Sequence, residues 1–477
     1  MKHNLLFITT DQQRFDSIKA YGFDKAKTPN LDELCKEGVV FENYYVAAPV
    51  CVACRASMMT GLYPSVVGAL GNESWIEDHI PTWPGIMSKA GYKTAGIGKM
   101  HFSPWDVLSG FQERIICEDK RHYYIPDDHA KYLEAKGLKR ISPVQYPNYH
   151  ESIGAPFYPY SKEFYPDVFI ADRACEWLDN NGDEQFASWV SFVGPHDPYD
   201  PPRGYEDLYS IDDMPDPIPV SDYTADKTAY NIRNTQRDEK HNAVYQCDPM
   251  NATKQQMKYW RKNYMTNLSI IDEGIGKIFD MLKKKGLWEN TTIIFTSDHG
   301  DALGDHGLVA KCHYYESMVH VPLIVKGPGV PVGERRSALV TTSDIVQYFF
   351  DALGVKGPRV VQGKSIKNLI DHPDAKNHEV VYSEMKGWYM TFDGRYKLSY
   401  YQDYPWELYD LLIDPEEMTN VAARPAYAEI RNKLAESLLG HMTDCNVQRT
   451  RLSNKVACEK RIAIDEAYKA GKNVFDL

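Results

Sequence analysis

Short apolar runs that stop abruptly at polar or charged residues recur along the chain. They occupy residues 5–10, 39–45, 92–97, 186–193, 291–297 and 321–325. Runs of this length, with little alternation between apolar and polar positions, are typical of strands buried on both faces of a parallel sheet. The pattern therefore predicts a central sheet whose strands are scattered over most of the sequence.

Between these runs, apolar residues recur at helical spacing. Helices are predicted after Thr28-Pro29 and at 84–90, 169–178 and 254–285. In the first of them Asn30 is the expected N-cap, and Leu31 and Leu34 share one face. Alternating strands and helices predict an α/β fold, with a large and mostly parallel central sheet flanked by helices.

Two long stretches, 103–165 and 200–250, have no sustained period and are rich in tyrosine and proline. They are predicted to be long loops over the active face, where substrate selection is usually placed.

The alternation weakens near residue 370. Short strands rich in tyrosine and tryptophan follow at 380–409, and a helix is predicted at 426–439. We therefore predict a catalytic domain at 1–375, a small antiparallel-sheet and helix domain at 376–445, and a tail at 446–477. The charged tail is expected to wrap the body or an oligomer partner, and the oligomeric state is left open.

Composition narrows the classes of function. The 477 residues carry a net charge of −12, which argues against nucleic acid as a partner. An anionic substrate must then be attracted by local positive charge. The N-terminal residues 1–4 lead into only four apolar residues, 5–8, before polar ones follow, and no later run reaches transmembrane length. Neither a signal peptide nor a membrane partner is therefore expected. Nine cysteines without framework spacing favour a reducing compartment. We expect a cytoplasmic protein, whereas a removed leader would mean a periplasmic or secreted one.

The stretch 51–64 reads Cys-Val-Ala-Cys-Arg-Ala-Ser-Met-Met-Thr-Gly-Leu-Tyr-Pro. It predicts a loop that turns into a helix at Cys51 and ends at Gly61. A helix start offers free N–H groups and a positive dipole end, and Arg55 adds a charge one turn later, which suits a nucleophile that attacks an anion. Three other interpretations stay open from this stretch alone. Cys51 and Cys54 would form a redox couple, or they would form half of a zinc site, although no second C-x-x-C supports zinc. In the third interpretation Cys51 is an ordinary packed thiol.

Polar residues follow four of the predicted strands directly. Because the carboxyl ends of parallel strands meet in one crevice, these residues are expected to converge near Cys51. Asp11, Asp298 and the amide oxygen of Gln12 are hard ligands suited to Ca²⁺, Mg²⁺ or Mn²⁺, and His299 adds a nitrogen ligand. The candidates for neutralising a tetrahedral anion are Arg55, Lys99 and Lys311, and those for proton transfer are His101, His196 and His313.

With these motifs in order, the chain resembles a type I sulfatase of the alkaline-phosphatase superfamily over nearly its whole length. Residues 51–55 match the signature C-x-[PA]-x-R in its alanine version, and 60–64 match Thr-Gly-x-x-Pro. Further matches in the family's order are Thr28-Pro29-Asn30-Leu31, Gly98-Lys99-x-His101, Pro195-His196, Ser297-Asp298-His299-Gly300 and Lys311.

The resemblance implies that a maturing enzyme converts Cys51 to formylglycine, whose metal-bound hydrate attacks sulfur in line. It implies one divalent metal ion, with calcium favoured and magnesium or manganese as alternatives, held by Asp11, Gln12, residue 51, Asp298 and His299. His196 would act on the leaving oxygen and His101 on the second hydroxyl. Lys99 and Lys311 would hold the sulfate, and Arg55 would orient the hydrate. Asn72 and His313 are expected near the nucleophile and substrate.

Two departures widen the expectation. Many sulfatases have two acids where this chain has Asp11-Gln12, and an asparagine where it has His299. At these positions the chain is similar to phosphonate monoester hydrolases. The first hypothesis is hydrolysis of a small-molecule or saccharide sulfate monoester, and the alternative is a phosphonate or phosphate ester hydrolase on the same site. A silent binding protein that keeps Cys51 as a thiol is disfavoured by the complete set of metal and proton-transfer candidates.

Overall fold

The structure, a computed structural model, describes residues 3–220, 228 and 252–470, with the side chains of 455–460, 463 and 467 left out. The strands are β1 Asn4–Asp11, β2 Val39–Phe41, β3 Tyr44–Tyr45, β4 Lys93–Gly98, β5 Glu113–Ile116, β6 Phe186–Pro195, β7 Thr291–Ser297, β8 Leu323–Lys326, β9 Glu334–Arg336, β10 Val340–Thr341, β11 Val381–Met385, β12 Trp388–Phe392, β13 Tyr396–Tyr401 and β14 Glu407–Asp410.

The α-helices are α1 Pro29–Glu37, α2 Cys51–Thr60, α3 Pro64–Val67, α4 Trp83–Lys89, α5 Asp128–Ala135, α6 Pro166–Asn181, α7 Lys254–Lys284, α8 Glu316–Val319, α9 Thr342–Leu353, α10 Lys367–Asp371 and α11 Ala428–Lys469. Short 3-10 helices lie at Phe15–Ser17, Lys19–Tyr21, Pro143–Gln145, Lys162–Phe164, Ile211–Asp213, Trp288–Asn290, Asp305–Gly307 and Pro425–Tyr427.

An eight-stranded sheet in the order β5-β4-β6-β1-β7-β8-β2-β9 forms the centre of the molecule. All its neighbouring pairs are parallel except those of β8, which runs antiparallel to both β7 and β2. This confirms the predicted α/β fold with a large, mostly parallel sheet. A parallel ladder of β3 and β10 lies outside it.

Helices cover both faces of the central sheet. Leu5 and Phe7 point into one core, where Phe7 lies 5.0 Å, ring to ring, from Phe349 of α9. Leu6 and Ile8 point into the other core, which is closed by α1, α6 and α7. Burial on both faces explains why the strands are continuous apolar runs in the sequence. Among the described residues, no helix combines the length and apolar character needed to cross a bilayer.

The C-terminal part contains a four-stranded antiparallel sheet in the order β11-β12-β13-β14, followed by α11. The antiparallel strands predicted at 380–409 are confirmed. The helix predicted at 426–439 is much longer, because α11 continues to Lys469 through the segment predicted as a tail. The domain boundaries themselves stay predictions.

Two local predictions are wrong. Asn30 is not the N-cap of α1, because Thr28 holds that position and Pro29 is the first helical residue. The Asn30 amide instead donates to Asp272 of α7. The stretch 103–165 is also more regular than predicted, since it contains β5 at the sheet edge and the helix α5.

Candidate active site

Four adjacent parallel strands, β4, β6, β1 and β7, deliver the polar residues that were predicted to converge. The order of these strands in the sheet places Lys99, His196, Asp11 and Asp298 side by side at their carboxyl ends. All four side chains are buried. The crevice predicted from the strand ends is therefore present, and it opens onto the start of α2.

Cys51 is the first residue of α2, which ends at Gly61 in the left-handed conformation, as predicted. The backbone N–H of Val52 donates to Asn72 Oδ1 over 3.2 Å, so Asn72 satisfies one of the free donors at this helix start. Cys51 is fully buried, and its Sγ lies 3.2 Å from His299 Nε2. Cys54 lies elsewhere, with its Sγ 3.9 Å from Thr342 Oγ1, and both cysteines are free thiols.

Asp11, Cys51, Asp298 and His299 each offer one ligand atom, and these atoms all lie within 4.8 Å of one another. Burial and the nearby Asp11 carboxylate raise the pKa of Asp298. Two buried acids beside one imidazole nitrogen form a mixed oxygen and nitrogen donor set, and a divalent cation would relieve the repulsion between the acids. The residues therefore fit the metal that the family resemblance implies.

Arg55 lies behind this cluster and bridges its two acids. Its Nε donates to Asp298 Oδ2 over 2.8 Å, and its Nη2 donates to Asp11 Oδ2 over 3.0 Å. Its Nη1 is bound by the carbonyl of Lys99 and the hydroxyl of Ser191. The buried guanidinium therefore holds the two carboxylates in place, and its predicted part in neutralising a substrate stays a prediction.

Lys99 and Lys311 both place positive charge near Cys51. Burial alone would raise the pKa of the Cys51 thiol. The charges of Lys311, His299 and Lys99 together outweigh burial and hold that pKa well below its ordinary value. Lys99 Nζ lies 2.8 Å from Asp11 Oδ2. A site that lowers this pKa is one that stabilises negative charge at the position of the side chain of residue 51.

His196 accepts two hydrogen bonds from cations at the same nitrogen. Lys311 Nζ donates to His196 Nε2 over 2.5 Å, and Arg121 Nη2 donates to it over 2.9 Å. The proton of the ring therefore sits on Nδ1, which donates to the carbonyl of Asp197 over 2.8 Å. In this arrangement His196 is neutral, with its lone pair towards the crevice.

His101 and His313 lie in different surroundings. His101 hydrogen-bonds the Cys51 side chain, and its backbone N–H donates to Glu118 Oε1 over 3.1 Å. Its buried Nδ1 has no hydrogen-bond partner in the described part of the chain. His313 stacks on Trp388 of the C-terminal sheet, with 5.6 Å between ring centroids. The structure therefore brings His101 to Cys51, whereas His313 lies against Trp388 of the small sheet.

Gln12 lies next to the acidic cluster and has the positive φ of 71°. Its Oε1 accepts from Lys311 Nζ over 2.7 Å, and its Nε2 donates to Asp301 Oδ2 over 2.6 Å. The structure therefore places the amide between Lys311 and Asp301, beside the four ligand atoms described above. Its role as a metal ligand stays a prediction.

Two residues of the crevice were missed in the sequence, Asp119 and Arg121. Asp119 Oδ2 accepts from Lys99 Nζ over 2.9 Å and from Arg121 Nη2 over 2.7 Å. They follow β5, whose apolar run is short and only partly buried. The signal was an acidic pair, Glu118-Asp119, directly after residues 115–117, which repeats on a smaller scale the pattern of the other strand ends.

Comparisons with known proteins bear on this arrangement. The family model described as Sulfatase matches residues 3–355, and the one described as N-sulphoglucosamine sulphohydrolase, C-terminal, matches residues 304–444. An arylsulfatase of Clostridium perfringens is 28% identical over 464 residues, which covers 92% of this chain and 94% of the relative. A choline-sulfatase of Rhizobium meliloti is 30% identical over 446 residues, which covers 89% of this chain and 83% of the relative.

Solved structures agree on the fold. The phosphonate monoester hydrolase of Agrobacterium radiobacter superposes with a TM-score of 0.82 at 25% identity, over 93% of this chain and 96% of that one. BT4656, solved in complex with its substrate D-glucosamine-2-N,6-O-disulfate, superposes with a TM-score of 0.74 at 22% identity. The superposition covers 94% of this chain and 98% of BT4656. The Sulfatase match spans most of the sequence and includes the whole crevice around Cys51. The chain therefore belongs to the sulfatase family of the alkaline-phosphatase superfamily, whose members are sulfuric ester hydrolases.

Proposed function

We propose that this sulfatase hydrolyses a saccharide sulfate monoester at the crevice around Cys51, after conversion of Cys51 to formylglycine. One observation carries the proposal. The side chain of residue 51 lies 3.2 Å from His299, at the positive end of a helix. Four strand ends bring one lysine, one histidine and two acids together there, and Lys311 adds a second ammonium group. This environment stabilises an anionic nucleophile and an anionic substrate at the same place.

We propose that Asp11, Asp298, His299 and Gln12 hold one divalent ion next to residue 51. Calcium is the first choice because the donors are mainly hard oxygens, and magnesium and manganese are the alternatives. The ion would supply Lewis acidity, and the hydrated aldehyde would supply the attacking oxygen. Arg55 contributes by fixing the two carboxylates through its bonds of 2.8 and 3.0 Å.

The sulfate group would be bound by Lys99 and Lys311. Both ammonium groups have a pKa raised above its usual value, because neighbouring negative charges outweigh the effect of burial. They are therefore charged at neutral pH. Lys311 now donates to Gln12 and His196, and sulfate oxygens would replace these weaker neutral acceptors.

His196 and His101 would move the two protons that the reaction needs. When sulfate oxygens draw both Lys311 and Arg121 away from it, Nε2 of His196 becomes free to take up a proton and give it to the leaving ester oxygen. His101 lies on the side of residue 51 and has an unpartnered buried Nδ1 within the described chain. These observations support a role in which His101 takes the proton that must leave residue 51 before sulfate is released.

A saccharide is proposed as the organic part of the substrate for two reasons. An N-acetylglucosamine-6-O-sulfatase of Bacteroides thetaiotaomicron is 26% identical to 91% of this chain, and BT4656 was solved with a sulfated glucosamine. In addition, the half-buried Trp388 stacks on His313, which is a suitable platform for a sugar ring. A panel of sulfated monosaccharides and disaccharides beside choline sulfate and aryl sulfates would test this choice.

Phosphonate ester hydrolysis is the second candidate. The similarity to the Agrobacterium phosphonate monoester hydrolase, with a TM-score of 0.82, and the Gln12 and His299 pair favour it. Sulfuryl and phosphoryl transfer need similar in-line geometry, so some activity on both is expected.

The decisive experiment compares kcat/KM for an aryl sulfate and an aryl phosphonate monoester, using chain produced together with a formylglycine-maturing enzyme. Mass spectrometry of the peptide that contains residue 51 must first show the aldehyde. We expect kcat/KM to be at least about tenfold higher for the sulfate, which corresponds to 1.4 kcal/mol. A phosphonate preference of about a hundredfold would overturn the proposal in favour of the second candidate.

A further inference from the structure

A second group of metal-binding side chains lies outside the active site, between the small sheet and the long helix. Glu384 is on β11, and His441 and Cys445 are one turn apart on α11. Their exposed fractions are 0%, 8% and 2%. Residues four positions apart on a helix share one face, so both α11 side chains point at the same carboxylate. This group is called the helix-sheet cluster below.

The distances within the helix-sheet cluster match a tetrahedral metal site. Cys445 Sγ lies 3.6 Å from Glu384 Oε1 and 3.6 Å from His441 Nε2. Zinc bonds of about 2.0 Å to nitrogen or oxygen and 2.3 Å to sulfur, at tetrahedral angles, separate sulfur from each of the other ligands by about 3.5 Å. The third edge, from His441 Nε2 to Glu384 Oε1, is 2.6 Å because the two atoms share a proton, and it would lengthen by less than about 1 Å around an ion.

The surroundings of the cluster resemble the outer partners of a metal site. The backbone N–H of Ser65 donates to the other oxygen of Glu384 over 2.9 Å, and Gln362 Nε2 donates to Cys445 Sγ over 3.3 Å. The ring of Tyr382 stacks on His441 at 4.0 Å. Such contacts fix ligand orientation and stabilise the negative charge of carboxylate and thiolate.

We propose that the helix-sheet cluster binds one Zn²⁺ through Glu384, His441 and Cys445. Thiolate, imidazole and carboxylate together favour zinc over calcium or magnesium, which prefer oxygen ligands. A carboxylate and a thiolate also neutralise the charge of the ion. The fourth position is open to water or to the hydroxyl of the neighbouring Ser65.

Binding requires the movement of two protons. Burial raises the pKa of Cys445 to about 12, so the thiol is protonated before the ion arrives and releases its proton to solvent. The proton between Glu384 and His441 Nε2 moves to His441 Nδ1, which frees Nε2 for the metal. One zinc ion therefore enters and one proton leaves, with no change of oxidation state.

A zinc ion bound in the helix-sheet cluster would hold α11 against the small sheet. The cluster lies where this 42-residue helix crosses the small sheet, and Ser65 belongs to α3 of the catalytic part. A bound ion would link β11 to α11, and the hydrogen bond from Ser65 to Glu384 connects α3 to the same point. Its effect is expected on stability and not on the chemistry at Cys51.

Cobalt is the most direct probe, because a thiolate bound to Co²⁺ gives a charge-transfer band in the near ultraviolet. The titration is done on the full chain with Cys51→Ala, which removes the thiol of the other metal cluster. We expect the band to saturate at about one equivalent and to vanish when Cys445→Ser is added. Cys35→Ser is the matched control, because Cys35 is also buried with a pKa of about 12 but is not one of the described metal-binding groups, so the band should persist.

Zinc provides the second readout. After incubation with zinc and desalting, the Cys51→Ala chain should retain about one more zinc ion than its Cys445→Ser derivative, and only the former should gain about 2 °C in melting temperature from zinc. The absence of a thiolate band in the parent, or a band that survives Cys445→Ser, would overturn the proposal. Serine is close in size to cysteine, so loss of folding is not expected to confuse the result.

Discussion

The molecule buries two clusters of opposite charges, and they differ in how their contacts are arranged. In the junction cluster, Lys397 of the small sheet lies 2.7 Å from Glu316 and 2.7 Å from Glu417. In the active-site cluster, Lys99 and Arg55 meet Asp11 and Asp298 at similar distances. Most side chains of both clusters are buried, with Glu316 partly exposed, and both clusters contain shifted pKa values.

The difference shows which property marks a catalytic site. In the junction cluster one lysine is shared by two acids, and Glu316 also meets His320 and the hydroxyl of Tyr45, so the charges are matched within the cluster. In the active-site cluster several cations also contact neutral acceptors, such as Lys311 with His196, that an anionic ligand would replace. Burial and altered pKa values are therefore common to both clusters. Only in the active-site cluster do charged groups converge on the side chain of residue 51.

The largest expected effect separates Cys51 from Cys54, three residues later on the same helix. Cys51→Ala should lower kcat/KM by at least about 10³-fold because the nucleophile is lost. Cys54→Ser should lower it less than about threefold, since Cys54 contacts Thr342 and not the crevice. Steady-state kinetics, with circular dichroism to verify folding, checks both. Equal losses in the two variants would mean that the crevice around Cys51 is not the active site.

The loss of activity on removal of the His196 imidazole is expected to depend on the leaving group of the substrate. His196→Ala should reduce kcat about 10² to 10³-fold on an alkyl or sugar sulfate, whose leaving oxygen needs a proton. On a nitrophenyl sulfate the loss should be below about tenfold. His129→Gln, at a buried histidine away from the crevice, serves as the control for packing effects. The same loss on both substrates would contradict the proton-transfer role.

Substitution of one lysine in each cluster allows a direct comparison of the two clusters. Lys311→Ala should reduce kcat/KM about 10²-fold through the lost interaction with the sulfate, with little change in melting temperature. Lys397→Met should leave kcat within about twofold and destabilise the fold by about 3 kcal/mol, because the buried Glu417 and the partly exposed Glu316 lose the cation that they share. Kinetics and thermal unfolding of both variants test whether one substitution lowers activity and the other lowers stability. If Lys397→Met abolished turnover in a folded protein, the junction cluster would have a catalytic role.

Arg121 is expected to have a smaller effect. Arg121→Ala removes the partner that shares Asp119 with Lys99, so Asp119 would hold Lys99 more tightly and away from a sulfate. A loss of about tenfold in kcat/KM is expected, mainly in KM. Arg203→Ala, at an exposed arginine, is the control. No change in KM would place Arg121 outside substrate binding.

The smallest effect is a pH dependence of stability at the junction. Burial, against the opposing charge of Lys397, raises the pKa of Glu417 to about 7. Between pH 4.5 and 7 the unfolded chain has lost a proton that the folded chain keeps, so this residue makes stability fall as pH rises through that window.

Glu417→Gln removes that proton, so its melting temperature relative to wild type should rise by a few degrees from pH 5 to pH 7.5. The exposed neighbour provides the control Glu416→Gln, for which no such change is expected. A constant difference at both pH values would show that Glu417 does not titrate in this range.

Much of the site could be predicted because strands buried on both faces are visible as apolar runs. The run ending at Ser297 was predicted with its bounds, and the polar residues after it followed from position alone. Asp119 and Arg121 could not be found in the same way. Their strand, β5, is at the sheet edge and only partly buried, so its sequence has no long apolar run.

Other errors come from contacts between distant parts of the chain. The Asp272 carboxylate on α7 accepts from the backbone N–H groups of Asn30 and Leu31, and so caps α1 from outside it. No local pattern contains that information. The length of α11 was missed because many side chains in its later turns are exposed, so the sequence there has no apolar stripe.

The complete burial of Cys51 also has a consequence for the order of events during synthesis. An enzyme that modifies this side chain needs access to it, yet the folded chain leaves it no exposed surface. We therefore expect the modification to precede the packing of α2. A chain that folds first would keep an unmodified cysteine, so the fraction of active molecules would depend on the rate of folding relative to the rate of maturation.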